Sequence, residues 1–174
     1  MPKPANSLFR MMAFDFKIRD LFSPRKNIIA DLGIKPGFQI LDFGCGPGAY
    51  IPATKELIGP SGHIYALDAQ PMAIEYVQDL CRKKKYSNVT SILSDRATGL
   101  LSASIDIIFL YDILHGLTDA KPIFEELHRV VKPDGIISVN DHHLQQEEII
   151  AKVTSAGHFK LMEKKSKTIS FSKI

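Results

Sequence analysis

Residues 40–50 read ILDFGCGPGAY, and this stretch decides how the rest of the chain folds. An apolar run containing an acidic residue leads into three glycines at alternate positions, Gly44, Gly46 and Gly48. Because glycine lacks a Cβ atom, the main chain can approach a ligand closely at each of them. The helix that is predicted to follow, to about Ile58, offers unpaired N–H groups at its first turn. The stretch therefore predicts a strand, a glycine loop and a helix that hold a nucleotide-like ligand.

The glycine loop alone does not choose the ligand. It reads G-x-G-x-G, and it also matches the dinucleotide pattern G-x-G-x-x-A through Ala49. A tight strand-to-helix turn without any ligand is a third interpretation. Three glycines exceed what a bare turn needs, so we favour a nucleotide cofactor.

Composition excludes several classes of protein. The 174 residues suffice for one domain with a full core, and the net charge of +3 is too small to indicate a nucleic-acid partner. The two cysteines, Cys45 and Cys81, form no C-x-x-C pair, which argues against a disulfide framework or a zinc site and fits a reducing cytoplasm. No apolar run approaches the roughly 18 residues of a membrane span. The first residues lack the apolar centre of a signal peptide. We expect a cytoplasmic location.

Strand and helix patterns alternate along the chain. Helices are predicted at about 71–85, 119–131 and 144–156, with Glu125 and Arg129 spaced to pair on the second of these, and a turn at 133–135. Strands are predicted at about 38–42, 63–68, 88–94, 105–111 and 136–140, followed by a hairpin of 158–164 and 168–173. Strands separated by helices predict a doubly wound α/β fold, with a mostly parallel seven-stranded sheet, a C-terminal antiparallel hairpin and helices on both faces.

The N-terminal segment differs from the rest of the chain. Residues 8–22 carry nine large apolar side chains mixed with charges, in neither a clean helical nor a clean strand pattern. We expect residues 1–22 to form an arm and residues 23–174 a single domain. The arm is predicted to cover the ligand pocket with Phe14 and Phe16 near the acceptor, or else to pack against a second copy in a homodimer.

Acidic residues stand at or beside the ends of five predicted strands. They are Asp42, Asp68, Asp95, Asp112 and Asp141. Ligands of an open α/β sheet bind outside the carboxyl ends of its strands, so these carboxylates are expected along the ligand edge. They would repel a pyrophosphate, at about 4 kcal/mol for a partly buried pair near 4 Å. S-adenosylmethionine, with a ribose diol, an amine, an ammonium and a sulfonium, suits such an edge better.

The motifs occur in the order found in the class I, seven-stranded S-adenosylmethionine-dependent methyltransferases. Residues 40–48 (ILDFGCGPG) resemble their first motif, and residues 65–68 (YALD) resemble the acidic end of their second strand. Residues 94–96 (SDR), 106–117 (DIIFLYDILHGL) and 126–134 (ELHRVVKPD) resemble three later motifs. Over roughly 25–174 the chain resembles small-molecule enzymes akin to the quinone-biosynthesis C-methyltransferases.

This resemblance implies a cofactor site. Asp42 would support the amino end of S-adenosylmethionine, and Asp68, 20 residues after Gly48, would accept both ribose hydroxyls. Asp95 would meet the adenine amine, and Cys45 is a small buried filler within the loop. The implied cofactor-binding set is Asp42, Gly44, Cys45, Gly46, Gly48, Asp68, Ala69, Met72, Asp95, Arg96, Leu110 and Tyr111.

The implied reaction is in-line transfer of the methyl group to a small-molecule acceptor, with S-adenosylhomocysteine as product. The sulfonium is already activated, so orientation can supply on the order of 7–11 kcal/mol without a catalytic side chain. If the acceptor must lose a proton, His115 is the candidate base, and a base adds about 10²- to 10⁴-fold. Asp141 and His142 are expected to line the acceptor pocket, and no metal site is predicted.

Two alternatives stay open at this stage. One is a nicotinamide-dependent oxidoreductase, against which the row of aspartates and Pro47 argue. The other is a non-catalytic subunit that binds S-adenosylmethionine for a partner. The identity of the acceptor stays open as well.

Overall fold

A seven-stranded sheet runs through residues 25–174, the part of the chain that the computed structural model describes. The predicted arm at 1–22, with Phe14 and Phe16, lies outside the described residues. The strands are β1 (Gln39–Phe43), β2 (His63–Asp68), β3 (Val89–Leu93), β4 (Ile105–Tyr111), β5 (Val131–Asn140), β6 (Phe159–Lys164) and β7 (Ile169–Lys173). The helices are α1 (Lys26–Ile29), α2 (Ile51–Ile58), α3 (Pro71–Lys84), α4 (Lys121–Val130) and α5 (Gln146–Thr154).

The strand order is β3-β2-β1-β4-β5-β7-β6. Strands β1 to β5 pair in parallel, and β7 is antiparallel to both β5 and β6. The predicted fold class is therefore confirmed. The order reverses between β1 and β4, so the loops that leave these two strands diverge and open a crevice at the carboxyl edge of the sheet.

The central strands are buried on both faces. Successive side chains of a strand point to opposite sides, so Leu41 belongs to one apolar cluster and Ile40 to the other. The same alternation divides Leu110 from Phe109 on β4. Burial on both faces explains why these strands read as continuous apolar runs. The sheet thus forms a rigid platform for the loops at its carboxyl edge.

Residues 94–104 cross from β3 to β4 as an irregular segment, where no individual helix was predicted. The start of β5 differs from the sequence prediction. Strand β5 begins at Val131, and the predicted turn at 133–135 is a bulge within it. Val131 pairs with Ile105 and Ile136 with Ile107, so β5 advances five residues while β4 advances two. Gly135 permits the bulge, because a Cβ atom there would lie 2.9 Å from the carbonyl oxygen of Asp106.

Glu126 joins the irregular segment to helix α4. Its Oε1 accepts hydrogen bonds from the Thr98 backbone N at 2.9 Å and from Thr98 Oγ1 at 2.6 Å. The Arg129 guanidinium donates to both of its carboxylate oxygens at 2.8 Å. The predicted partner of Arg129 was Glu125, which is exposed. The predicted pairing of Glu125 with Arg129 is wrong. Arg129 pairs with Glu126 instead, and Thr98 also hydrogen-bonds to the Glu126 carboxylate.

We expect Glu126→Gln to destabilise the protein by about 1–2 kcal/mol at pH 7, allowing for the solvent that reaches this carboxylate. The Arg129 hydrogen bonds, aided by Thr98 against the opposing effect of burial, lower the pKa of Glu126 to about 2. Because the pKa is lower in the folded state, ionised Glu126 stabilises that state when the pH is above the ordinary pKa of 4.5. This stabilisation is lost as the pH falls from 4.5 toward 2. Urea unfolding between pH 2 and 7 measures it. Glu125→Gln is the matched control, and an equal loss there would contradict the prediction.

Among residues 25–174 there is no helix with the length and apolar character to cross a membrane.

Candidate cofactor and acceptor site

A cavity of about 770 Å³ opens at the carboxyl ends of β1 to β4. The loops after these four strands form its wall together with Arg25. Of the predicted site residues it is lined by Asp42, Gly44, Cys45, Gly46, Asp68, Ala69, Asp95, Arg96, Tyr111 and His115. Gly48, Met72, Leu110, Asp141 and His142 do not line it.

The glycine loop is tied to the end of β2. Gly44 N and Cys45 N both donate to the Leu67 carbonyl oxygen, at 2.8 and 3.0 Å, and Gly46 N donates to Asp68 Oδ2 at 2.9 Å. Gly46 has a φ of +52°, and open space surrounds the position that its Cβ would take. The main chain at Gly46 is therefore exposed to the cavity.

Gly44 and Gly48 have a packing role. A Cβ atom at Gly44 would lie 2.7 Å from Ile113 Cδ1, and one at Gly48 would lie 2.8 Å from Ile51 Cδ1 and 3.1 Å from Val77 Cγ2. Both residues also have positive φ values, +81° and +78°. Gly48 thus lets helices α2 and α3 approach beneath the loop, which explains why it is outside the cavity wall.

Asp42 is a buried carboxylate on a central strand, 3% exposed. Its Oδ2 has no hydrogen-bond partner within the described residues. Burial, and then the charge of Asp68, raise the pKa of Asp42 to about 7, although Arg25 acts in the opposite direction. A buried oxygen of this kind in a cavity wall is suited to a cationic or hydrogen-bond-donating ligand.

Asp68 is the last residue of β2 and organises the loops on either side of it. Besides Gly46 N, it accepts the backbone N–H of Gln70 at 2.8 Å. Burial raises the pKa of Asp68, and hydrogen bonds from Gln70, Gly46 and Ala69 oppose that rise. A carboxylate has about four acceptor positions, so these three backbone bonds still leave capacity for a ligand.

Beyond β3 the wall becomes more exposed. Asp95 and Arg96 are both exposed, and Arg96 N donates to Ser94 Oγ at 3.2 Å. Met72 stands on the first turn of α3, outside the wall. Leu110 is fully buried in the core on the face opposite Tyr111.

Arg25 and Tyr50 also line the cavity, and neither was predicted from the sequence as a site residue. The Arg25 guanidinium lies 5.2 Å from the centre of the Tyr50 ring, which in turn lies 4.6 Å from the Tyr111 ring. The Tyr111 hydroxyl is hydrogen-bonded to Ser138 Oγ at 2.8 Å, inside the sheet. Tyr50 directly follows the glycine loop, a position that could have identified it, but no sequence signal identified Arg25.

Cys45 is buried in the loop. Its Sγ lies 3.6 Å from the Gly46 carbonyl oxygen, and burial, reinforced by the charges of Asp42 and Asp68, raises the pKa of the Cys45 thiol well above its ordinary value. A thiol that resists ionisation is a poor nucleophile. Its place agrees with the predicted role of a small filler.

His115 reaches the cavity from the short helical turn after β4, and Asp141 holds it from behind. The Asp141 side chain is completely buried. It accepts hydrogen bonds from His115 N and His115 Nδ1, each at 3.0 Å, and from His143 N at 3.1 Å. Burial alone would raise the pKa of Asp141, but these bonds outweigh it and lower the pKa below its ordinary value. Asp141 was expected in the pocket wall; it lies behind that wall and supports His115.

His142 makes the equivalent contact with a different aspartate. Its Nδ1 lies 2.6 Å from Asp112 Oδ1, and Asp112, not His142, lines the cavity. The His143 ring lies between, 4.2 Å from the His115 ring and 3.8 Å from the His142 ring. Within residues 25–174, no group of three or more His, Cys, Asp or Glu side chains is arranged to hold a metal ion.

A family model described as a methyltransferase domain matches residues 34–170. The chain is 28% identical over 139 residues to a demethylmenaquinone methyltransferase from Lactobacillus johnsonii, covering 79% of this chain and 57% of that protein. It is 30% identical over 104 residues to a protein-L-isoaspartate O-methyltransferase from Methanothrix thermoacetophila, covering 60% and 47%. The chain thus spans about half the length of the curated relatives it matches.

The fold is similar to that of solved structures. A SAM-dependent methyltransferase from Aquifex aeolicus superimposes with a TM-score of 0.74 at 23% identity, covering 90% of this chain and 96% of that one. At this identity the superposition bears on the fold alone. The family match favours the predicted methyltransferase over the nicotinamide-dependent alternative.

Proposed function

We propose that this chain, which belongs to the methyltransferase-domain family of class I S-adenosylmethionine-dependent methyltransferases, moves a methyl group to a small-molecule acceptor. The observation that carries the proposal is one cavity whose wall combines two chemically different groups of residues. The glycine loop with Asp42 and Asp68 is one group, and His115 with its apolar neighbours in the sequence is the other. Similar proteins include one named for a quinone and one named for a protein substrate, so the acceptor class rests on the cavity itself.

The residues present fit S-adenosylmethionine, the cofactor of this family. The buried Asp42 Oδ2 without a partner suits the cationic amino end, and the Gly46 main chain has open space for close approach. Asp68, with acceptor capacity left, suits the ribose hydroxyls, and Asp95 suits a donor on the base. When bound, the cofactor supplies an activated methyl group.

The protein's own contribution is to bind, orient and exclude water. The cavity wall that His115 lines also includes four apolar residues after β4 and on α4, namely Ile113, Leu117, Pro122 and Ile123. Acidic residues outnumber basic ones along the wall: five aspartates, Asp42, Asp68, Asp95, Asp112 and Asp119, stand against two arginines, Arg25 and Arg96. These charges disfavour an anionic acceptor. A cavity of about 770 Å³ that also holds the cofactor favours a small acceptor over a macromolecule.

We expect S-adenosylhomocysteine to raise the melting temperature, whereas NAD and NADP should not. At 100 times its dissociation constant the ligand stabilises the native state by about 2.7 kcal/mol. For a chain of this length that corresponds to roughly 5–10 °C. Differential scanning fluorimetry of the full chain measures the shift, with adenosine as a control for the base and ribose alone. Stabilisation by a dinucleotide and not by S-adenosylhomocysteine would overturn the cofactor assignment. Binding without transfer to any acceptor would favour the non-catalytic subunit.

A further inference from the structure

Asp141 fixes the Nδ1 side of the His115 imidazole, and part of the ring remains accessible. Its Nδ1 and its backbone N both point to the Asp141 carboxylate, while 38% of its side-chain surface stays accessible where it lines the cavity. Asp141 itself is fully buried at the end of β5. The pair joins the ends of two adjacent strands, β4 and β5, and so is anchored in the sheet.

We infer that Asp141 positions His115 as a proton acceptor at Nε2, and that the methyl acceptor is an uncharged hydroxyl compound with an apolar body, of the phenol or enol class. The inference rests on the proposed function and names its substrate class. Asp141 is a positioning residue, since it touches neither cavity nor ligand, and His115 is the group that meets the acceptor.

The tautomer follows from the donors around Asp141. An ionised carboxylate only accepts hydrogen bonds, so His115 Nδ1 must carry the proton. In the neutral imidazole the lone pair then lies on Nε2, the nitrogen that Asp141 does not use. The ring can accept a proton there while the buried carboxylate stabilises the imidazolium that forms.

A base held in this way matters most for a hydroxyl acceptor. An uncharged amine has a nucleophilic lone pair and can lose its proton to water after transfer, and a thiol with a pKa near 8.5 ionises readily by itself. A hydroxyl oxygen is a weak nucleophile until its proton leaves. The apolar residues of the cavity wall fit the body of such a compound, and the carboxylates of the same wall disfavour one that is already an anion.

Methyl transfer from the sulfonium to the hydroxyl oxygen conserves atoms and electrons. The acceptor oxygen forms the new bond to the methyl carbon, and the sulfonium sulfur keeps the electron pair of the carbon–sulfur bond that breaks. The hydroxyl proton passes to His115 Nε2, and its electron pair stays on the oxygen. The imidazolium, still hydrogen-bonded to Asp141, later releases the proton to water. No oxidant, metal or further reactant is needed.

The first test is the tautomer of His115, read from ring ¹⁵N chemical shifts of the full-length protein at pH 8. The wild type should show the Nδ1–H form. His115 N donates to Asp141 Oδ2, His143 N donates to Oδ1, and His115 Nδ1 lies within 3.1 Å of both oxygens. Asp141→Asn replaces one of these oxygens with an NH₂ group and removes the negative charge, so the Nδ1–H population should fall and the Nε2–H population should rise. Asp112→Asn is the matched control, because it makes the same chemical change at the aspartate that contacts His142 and asparagine tolerates the φ of +53° at that position.

The second test uses three probes of one shape on protein saturated with S-adenosylhomocysteine: 2-naphthol, 2-naphthylamine and naphthalene. We expect 2-naphthol to bind at least tenfold more tightly than the other two and to shift the His115 Nε2 resonance. In Asp141→Asn its affinity should fall to that of naphthalene, whose own affinity should not change.

Each outcome decides the proposal. The positioning role is overturned if His115 of the wild type carries its proton on Nε2. It is also overturned if the tautomer populations of His115 are the same in Asp141→Asn as in the wild type. Binding of 2-naphthylamine as tight as that of 2-naphthol overturns the hydroxyl class, as does 2-naphthol binding no tighter than naphthalene. If S-adenosylhomocysteine does not bind at all, the proposed function fails, and the tautomer measurement still reports on Asp141 and His115 independently.

Discussion

Replacing Asp68 with alanine is expected to weaken the binding of S-adenosylhomocysteine by at least tenfold, and by about 100-fold if both ribose hydroxyls bind its carboxylate. Each hydrogen bond to a charged group contributes about 1.5–3 kcal/mol, and 1.4 kcal/mol corresponds to about a factor of ten. The glycine loop adds to the loss, since Gly46 N donates to Asp68 Oδ2 at 2.9 Å and would lose its acceptor. The folded state should survive, because burial of the Asp68 charge is itself unfavourable and raises its pKa.

Isothermal titration calorimetry with S-adenosylhomocysteine measures the affinity, and circular dichroism checks the fold. Asp79→Ala is the matched control, since Asp79 is an exposed acid on helix α3 outside the cavity wall. Asp68→Asn, which retains one acceptor oxygen, should fall between wild type and alanine. A folded Asp68→Ala variant with wild-type affinity would show that the ribose binds elsewhere.

Much of the sheet could be predicted, because a strand that is buried on both faces has a continuous run of apolar residues in the sequence. Strands β2 and β4 begin and end where the apolar runs of 63–68 and 105–111 predict. The strand-end aspartates follow from the same logic, because parallel strands end at one edge of the sheet. Asp42, Asp68, Asp95 and Asp112 all line the cavity as that logic requires.

What could not be predicted depends on contacts between residues far apart in the chain. Spacing along helix α4 favoured Glu125 as the partner of Arg129, and only the fold brings Thr98 to Glu126 and reverses the choice. Asp141 belongs to the same row of strand-end acids as Asp68, yet its neighbours His115 and His143 enclose it behind the wall. The spacing of apolar residues along a helix or strand predicts which face a side chain lies on. It does not predict which hydrogen-bond donor from a distant part of the chain will contact that side chain.

Asp42 links the stability of the protein to its ligand. Burial and the nearby Asp68 charge raise the pKa of Asp42 from 3.8 to about 7, a difference of about 3 pH units. Because the folded state favours the protonated acid, ionisation of Asp42 opposes folding: the penalty is absent below the unfolded pKa of 3.8 and grows as the pH rises toward 7. Each unit of pKa difference corresponds to about 1.4 kcal/mol, so the penalty for ionising Asp42 in the folded state is at most about 4 kcal/mol above pH 7. A cationic ligand favours the ionised form and offsets this penalty.

We therefore expect Asp42→Asn to have opposite effects on stability and binding. At pH 8 the variant should unfold at a higher urea concentration than the wild type, by about 2–4 kcal/mol, and the gain should disappear near pH 4. Its affinity for S-adenosylmethionine at pH 8 should fall at least tenfold, because the neutral amide cannot attract the amino end.

The pH dependence of binding completes the test. In the wild type the affinity should rise about tenfold per pH unit below 7 and level off above it, whereas Asp42→Asn should show no such rise. Calorimetry at pH 7 in buffers of different ionisation enthalpy should show that the wild type releases about half a proton more per ligand bound than Asp42→Asn does. Asp95→Asn, an exposed acid in the same wall, is the control and should keep the wild-type pH profile. A variant of Asp42 that is less stable than the wild type at pH 8, or one that keeps the pH-dependent affinity, would mean that Asp42 is ionised and paired in the free protein, and that another group recognises the amino end.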